Sequence, residues 1–279
     1  MTIARALRRG EDLFRAAGCE TPRLDALVLL AAGIRRDKAF VFAHGEAELG
    51  PRCEAGYEDM LGQRLAGRPV SYILGRKEFY GLDFFVDERV LVPRPETEVL
   101  VDTALGILRG QPWMRRIHDA CTGTGCIPIA IASGGGGWEL SASDISAEAL
   151  EVFRLNCANI LGRVLAHTRG DLLCGAGGPF DMITANPPYL QSADCRRMLE
   201  SGWPEPGLAL DGGEDGLGVV RRLVEEAQAC LAEGGFLLME ASPEQADAIL
   251  GMLGKRGWGE ARAVCDLAGR RRVIVGRRP

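Results

Sequence analysis

The sequence predicts an α/β protein: a mostly parallel, seven-stranded sheet with helices on both faces and an antiparallel C-terminal edge, preceded by a small bundle of helices. Three observations predict it. Apolar residues recur at three-four spacing through the first 66 residues. From about residue 114, strand-like and helix-like segments alternate, the pattern of a parallel sheet with crossover helices. The chain then finishes on two strand-like segments with no helix between them, which predicts a hairpin at the sheet edge.

Each element follows from local chemistry. Ile3, Ala6, Leu7, Gly10, Leu13, Phe14 and Ala17 form one stripe of a first helix. Thr21 is placed to cap a second, with Pro22 in the first turn where its missing N–H costs nothing, and Leu24, Leu27, Val28 and Ala31 continue it to Gly33. A third helix fits 51–66. The stretch 70–92 is rich in β-branched and aromatic residues and reads as a strand pair turning near Gly81. Pro93-Arg94-Pro95-Glu96-Thr97-Glu98 announces the next helix, with prolines at its start and acids in its first turn. Strands are then expected at 116–119, 139–144, 163–168, 181–185, 236–240, 260–266 and 271–276, with helices at 125–132, 146–159, 215–232 and 243–256. The expected division is a helical domain over 1–72, a β-hairpin linker over 73–92 and an α/β domain over 93–279.

Composition narrows the class. Of 279 residues, 47% are hydrophobic and 25% charged, which excludes disorder as the main state. No apolar run approaches the roughly 18 residues of a membrane span. The N-terminal stretch lacks the apolar centre of a secretory signal. Nine scattered cysteines without a C-x-x-C pair argue against a disulfide framework or a zinc site, and three histidines (His44, His118, His167) show no metal-binding spacing. No metal is expected, and the reducing cytoplasm is the expected compartment. The first 90 residues carry 14 basic and 14 acidic side chains, so the whole net charge of −5 lies in the remainder. That weighs against a nucleic-acid partner, because phosphate binding needs a basic surface.

The segment Asp119-Ala120-Cys121-Thr122-Gly123-Thr124-Gly125-Cys126 joins a predicted strand to a predicted helix. Glycines let backbone approach a ligand, and a helix N-terminus offers free N–H groups. Asp144, 19 residues beyond Gly125 at the next strand end, stands where an acid binds the hydroxyls of an adenosine ribose. A dinucleotide fingerprint needs a third glycine where this chain has Pro128, which weakens NAD or FAD. S-adenosylmethionine suits the same geometry: ribose to Asp144, carboxylate to the loop, and ammonium to Asp119.

The strand 181–185 runs into Asn186-Pro187-Pro188-Tyr189. Methylating a planar –NH2 group requires both N–H hydrogens to be held while the out-of-plane face of nitrogen meets the methyl. The Asn186 side-chain oxygen and a neighbouring backbone carbonyl can accept those hydrogens. The prolines fix φ and add no competing N–H, and Tyr189 can lie flat on the amide plane. Asn186, Pro187 and Tyr189 are therefore the candidate catalytic residues, and Asn186–Tyr189 the candidate substrate clamp. Cys121 and Cys126 read as packing residues rather than a nucleophile, since no histidine is arranged to activate them. Arg270–Arg272, Arg277 and Arg278 read as solvated charges on an edge strand. Glu240 ends the fifth strand and is placed to face the cleft.

Together these motifs resemble the HemK/PrmC family of protein glutamine N5-methyltransferases. The resemblance spans Pro22-Arg23-Leu24-Asp25-Ala26, Glu78-Phe79-Tyr80-Gly81, Pro93–Glu98, the glycine loop, Asp144-Ile145-Ser146, Asn186–Tyr189, Glu205-Pro206, Asp211-Gly212-Gly213 with Asp215-Gly216-Leu217, and Arg272–Arg277. It implies a Rossmann-like AdoMet-dependent methyltransferase fold and S-adenosyl-L-methionine as cofactor. It also implies methylation of the glutamine in the Gly-Gly-Gln motif of peptide chain release factors, contacted by the helical domain. The residues matching its cofactor positions are Cys121, Thr122, Gly123, Thr124, Gly125, Asp144, Asp171, Leu172 and Asn186. Cys121 stands where release-factor enzymes often carry glycine and their sister enzymes for a large-subunit ribosomal protein often carry cysteine, which keeps that substrate open. Leu172 replaces an aromatic found near the adenine in some relatives. Asn186–Tyr189 is also shared with N6-adenine methyltransferases, and a non-catalytic adaptor is the remaining alternative.

Overall fold

The computed structural model describes residues 1–279. The chain divides into two compact units, Met1–Arg76 with Gly202–Pro204, and Lys77–Ser201 with Glu205–Pro279.

The first unit is helical: α1 (Ile3–Ala16), α2 (Pro22–Gly33), α3 (Lys38–Ala43), α4 (Pro51–Leu65) and α5 (Val70–Leu74). Phe14, Leu29, Leu30, Tyr57 and Leu61 fill its core. Gly10 allows the α1 backbone to approach Tyr57, whose hydroxyl would lie 2.1 Å from a Cβ at that position. Two local expectations are corrected. Thr21 stands before α2 but its side chain does not cap it; the hydroxyl donates instead to Asp25 Oδ1 at 2.7 Å. Residues 70–74 form a helix, not the start of a strand. Pro69 opens it, Gly75 closes it with φ +65°, and Val70, Ile73 and Leu74 pack on the helical core, so tertiary burial overrides β propensity.

A hairpin follows, which from Lys77 on belongs to the second unit: β1 (Arg76–Phe79) and β2 (Leu82–Phe85), joined by Tyr80 and Gly81 at φ +54° and +72°, the two positive values a tight primed turn needs. A 3₁₀ turn at Pro95–Thr97 leads into α6 (Glu98–Gly110). Then come β3 (Arg116–Ala120), α7 (Cys126–Ser133), β4 (Glu139–Asp144), α8 (Ala147–Leu161), β5 (Ala166–Arg169), β6 (Phe180–Ala185), α9 (Ser192–Glu200), α10 (Gly218–Cys230), β7 (Leu231–Glu240), α11 (Ala246–Lys255), β8 (Gly259–Cys265) and β9 (Arg271–Arg277). Between β6 and α10, where the sequence pattern predicts no element, the chain forms α9.

The seven strands run in the order β5-β4-β3-β6-β7-β9-β8, parallel from β5 to β7 and antiparallel at β7–β9–β8. Strand alternation feeds two cores. Ile117, Met182, Phe236, Leu238, Val273 and Val275 face α6, α7 and α8; Ile183, Leu237, Met239 and Ile274 face α10 and α11. The C-terminal hairpin forms the antiparallel edge, but β9 lies inside it and β8 is the outer strand. The arginines of β9 are therefore not edge guards. Arg271 pairs with Asp247, Arg272 with Asp266 and Arg277 with Glu260. No helix is long and apolar enough to cross a membrane.

Candidate active site

The chain leaves β3 in one direction, to β4 and β5, and returns on the other side at β6. Ligands bind at such a reversal, outside the carboxyl ends of the strands. The register there is tight: Ala120 pairs with Ser143 and with Ala185, and Ala185 with Met239. One residue further on, Asp144 and Glu240 end β4 and β7, and Cys121 and Asn186 are the first residues beyond β3 and β6, on four neighbouring strand ends. The glycine loop and Asn186 are thus neighbours because their strands are hydrogen-bonded partners.

The loop is held from two sides. Gly123 N–H donates to Asp144 Oδ2 at 2.8 Å, and Ser146 N–H to Asp144 Oδ1 at 2.9 Å. Asn156 of α8 donates to the carbonyls of Thr124 (2.9 Å) and Phe85 (3.1 Å), joining hairpin and loop through one amide. Gly125 has φ +79°, and a Cβ there would stand 2.5 Å from Phe153, so only glycine allows this close seat on α8. Gly123 has φ +52° and faces open space, with nothing within 4 Å of the Cβ it lacks. Cys121 adopts φ +56°, a left-handed conformation that favours glycine. Its thiol and that of Cys126 are pushed up by burial, Cys126 to about 12, so neither is a thiolate nucleophile at neutral pH.

Asp119 is fully buried. Its Oδ1 accepts from Thr184 at 2.7 Å, while Oδ2 and the nearby Thr122 hydroxyl have no partner in the chain. Burial raises the Asp119 carboxyl to about 7, against the pull of the Thr184 hydrogen bond. Buried polar atoms without partners cost free energy unless a ligand completes them. Burial likewise raises Asp144, with the Ser146 and Gly123 amides opposing it. Leu172, with φ +54°, offers its carbonyl to Ser143 Oγ at 2.6 Å and so sits beside the β4 tip. Asp171 is exposed and paired with Arg222 at 2.7 Å.

Asn186 Nδ2 lies 3.3 Å from Thr97 Oγ1, and the Thr97 hydroxyl donates to Glu240 Oε2 at 2.6 Å. Asn186 Oδ1 accepts nothing within the chain. The following residues are clamped from behind. Gln245 Nε2 donates to the carbonyls of Tyr189 (2.9 Å) and Gly216 (3.1 Å). A Cβ on Gly212 would meet Pro188 O at 2.8 Å, and one on Gly216 would meet Tyr189 O at 2.5 Å. The glycines of the 211–217 loop let that loop lie directly on the Pro188–Tyr189 backbone. Glu205, nearly buried, accepts from Val92 N at 3.0 Å and from Arg94 at 2.5 Å, which ties the proline block to the far end of the same segment.

The sequence singles out Asp119, Cys121–Gly125, Asp144 and Asn186 as candidate site residues, and the sheet brings these together. It did not single out Thr97 or Gln245. The only signal for Thr97 was its place inside the Pro93–Glu98 block, and Gln245 gave none. Glu98, expected to serve the helix dipole, also accepts from Tyr80 N at 2.8 Å and anchors the hairpin.

Known proteins share this organisation. Residues 5–75 match the family model described as PrmC N-terminal domain, and 97–201 match Methyltransferase small domain. The release factor glutamine methyltransferase of Koribacter versatilis is 36% identical over 100% of this chain and 99% of its own. That of Deinococcus radiodurans is 39% identical over 94% of this chain and 93% of its own. Among solved structures, a methyltransferase from Pyrococcus furiosus superposes with TM-score 0.51 at 17% identity, covering 79% of this chain and 98% of that one. The hMettl16 catalytic domain gives 0.53 at 16% identity, over 71% and 75%. These two share the fold. Full-length identity with the bacterial enzymes goes further: the chain belongs to the release factor glutamine methyltransferase family, whose members are AdoMet-dependent enzymes.

Proposed function

We propose that the protein transfers a methyl group from S-adenosyl-L-methionine to the side-chain amide nitrogen, N5, of the glutamine in the Gly-Gly-Gln motif of peptide chain release factors. The observation that carries the reading is the row Asp144, Cys121, Asn186, Glu240 at the strand ends, where a cofactor loop and an amide clamp stand one strand apart. Every curated relative cited above bears the release-factor name, so the ribosomal-protein alternative that Cys121 kept open is not favoured.

The residues present fit the cofactor. The unpartnered Asp119 Oδ2 and Thr122 Oγ1 suit its ammonium and carboxylate end, Gly123 leaves room for it, and Asp144 suits its ribose hydroxyls. Leu172, whose carbonyl meets Ser143 Oγ beside the β4 tip, would border the adenine, with Asp171 next to it in the chain. When bound, the cofactor supplies a methyl on a positively charged sulfur, whose carbon–sulfur bond breaks as the carbon–nitrogen bond forms.

The chain's own contribution is positioning and electrostatics. Asn186 Oδ1 and the Pro187 carbonyl accept the two amide hydrogens of the glutamine and hold the face of its nitrogen toward the methyl. Those acceptors strengthen as nitrogen becomes positive. One hydrogen then leaves as a proton to solvent, so no strong general base is needed. Pro187 and Pro188 keep the corner rigid, and Tyr189 packs on the amide. The helical segment 1–72 contacts the release factor, 73–92 links it, and 93–279 carries the chemistry. Incubation with S-adenosylmethionine and a release factor, followed by peptide mass mapping, tests the proposal: a gain of one methyl on the Gly-Gly-Gln peptide is expected, and its absence overturns the substrate assignment.

A further inference from the structure

We propose that Glu240, acting through Thr97, is the positioning group that decides which way the Asn186 carboxamide faces; the inference rests on the methyl-transfer reading above. A carboxamide has two nearly isosteric ends, and half a turn about its last bond exchanges an acceptor for a donor. If the –NH2 end faced the substrate amide, donor would meet donor and the clamp would fail. Asn186 therefore needs a device that selects one orientation.

The fold supplies one. Asn186 lies on the same sheet face as Met182, and Glu240 on the same face as Leu238, both belonging to the core under α6. The Ala185–Met239 pairing brings Asn186 level with Glu240. Thr97, 1% exposed, bonds to both from the 3₁₀ turn that precedes α6. Its hydroxyl has one hydrogen. Glu240 is 2% exposed and, when ionised, can only accept, so it takes that hydrogen at 2.6 Å. The lone pairs of Thr97 Oγ1 are then left toward Asn186 and select its –NH2 end, at 3.3 Å. The amide oxygen is consequently turned to the cleft. A protonated Glu240 brings a hydrogen of its own, Thr97 can reverse, and both amide orientations become available.

The groups around Glu240 set when this happens. The Thr97 hydroxyl, Arg272 on β9 and the nearby Asn186 amide favour its ionised form and Glu96 on the 3₁₀ turn opposes it, while Tyr189 and the neutral thiol of Cys126 complete its surroundings. Burial is the largest effect and raises the carboxyl above its usual range. Loss of the switch therefore appears as an acid limb in turnover.

The test compares wild type with Glu240→Gln, Thr97→Val and Thr97→Ser. Methyl transfer to a release factor is followed across pH, together with S-adenosylhomocysteine affinity and the side-chain ¹⁵NH2 signals of Asn186 in the substrate-free protein. Glu240→Gln and Thr97→Val are expected to lower kcat about 10–100-fold with KM and cofactor affinity changed less than about twofold. Glu240→Gln should also lose the acid limb, and Thr97→Ser, which keeps the hydroxyl, should recover most of the rate. The Asn186 amide signals should move with Glu240 titration in wild type and less in Thr97→Val, where only the direct contact with Glu240 remains. Unchanged kcat in both damaging variants, or amide signals indifferent to pH in wild type, overturns the inference. A protein whose Asn186 signals respond as expected but which leaves the release factor unmethylated instead overturns the substrate assignment alone.

Discussion

Gly123 N–H donates to Asp144 Oδ2 over 2.8 Å, so the acid at the tip of β4 holds the glycine loop in shape. Removing it with Asp144→Ala takes away a charge-assisted bond worth roughly 1.5–3 kcal/mol. Titration calorimetry with S-adenosylhomocysteine should show affinity weakened about 10–100-fold. An unchanged affinity would separate Asp144 from the ribose site.

Asn186→Ala deletes the clamp's side-chain acceptor but leaves the loop untouched. Turnover should fall on the order of 10²–10³-fold, by comparison with loss of one preorganised polar group in other enzymes. Cofactor affinity should change far less. Steady-state kinetics and calorimetry on the same preparation check both halves, and full activity in this variant would end the mechanistic reading.

Asp119 gives a pH dependence with a definite sign. Its carboxyl is raised from 3.8 to about 7 in the folded protein by burial. Between those values the folded state holds a proton that the unfolded state has lost. The contribution of Asp119 to stability is therefore fully present below about pH 4 and lost as pH rises through about 7. A ligand ammonium reverses the preference by favouring the carboxylate. S-adenosylhomocysteine affinity should thus rise about tenfold per pH unit below 7 and level off above it. Asp119→Asn should flatten both profiles; affinity that stays steep in that variant would place the titrating group elsewhere.

The 211–217 loop is predicted to serve the clamp rather than the cofactor. Gly216 has φ +72°, and a Cβ there would stand 2.5 Å from the Tyr189 carbonyl and 2.7 Å from Gln245 Nε2. Gly216→Ala should cost about 1–3 kcal/mol through this overpacking, shift the Pro188–Tyr189 backbone and reduce methyl transfer at least about tenfold. S-adenosylhomocysteine affinity should remain within about twofold. A parallel collapse of affinity would contradict the division of labour.

In the helical unit, Gly56 lies in the middle of α4, exposed and with open space where a Cβ would stand. Gly56→Ala should stabilise α4 by about 0.5–1 kcal/mol. Amide exchange along that helix should slow by up to about fivefold, with methyl transfer unchanged. Faster exchange would show that the glycine has a role beyond the helix.

Much of the molecule was legible in the residue pattern, because the physics involved is local. Alternating strand and helix periods gave the sheet, and the last two apolar segments gave its antiparallel end. Asp144 could be placed at a strand tip, and the Asn186 corner beside the glycine loop, because strand ends in such sheets converge. The failures were equally physical. Val70–Leu74 carries β-forming residues but folds as a helix, since its apolar side chains find a helical core to bury against. The arginines after residue 270 looked like guards of an exposed edge, but β9 inserts between β7 and β8, and pattern alone does not order strands within a hairpin.

What the sequence by itself determined, then, was the set of chemical groups and the strands that carry them. The tertiary structure alone decided how those groups bond. That Thr97 reaches both Asn186 and Glu240, 89 and 143 positions away, depends on the register of β6 against β7 and on the height at which α6 begins. That Asp119 keeps one oxygen without a partner depends on which side chains fill the space around it. Strand propensity and motif spacing are set by neighbours along the chain, whereas hydrogen-bond direction and desolvation are set by neighbours in space.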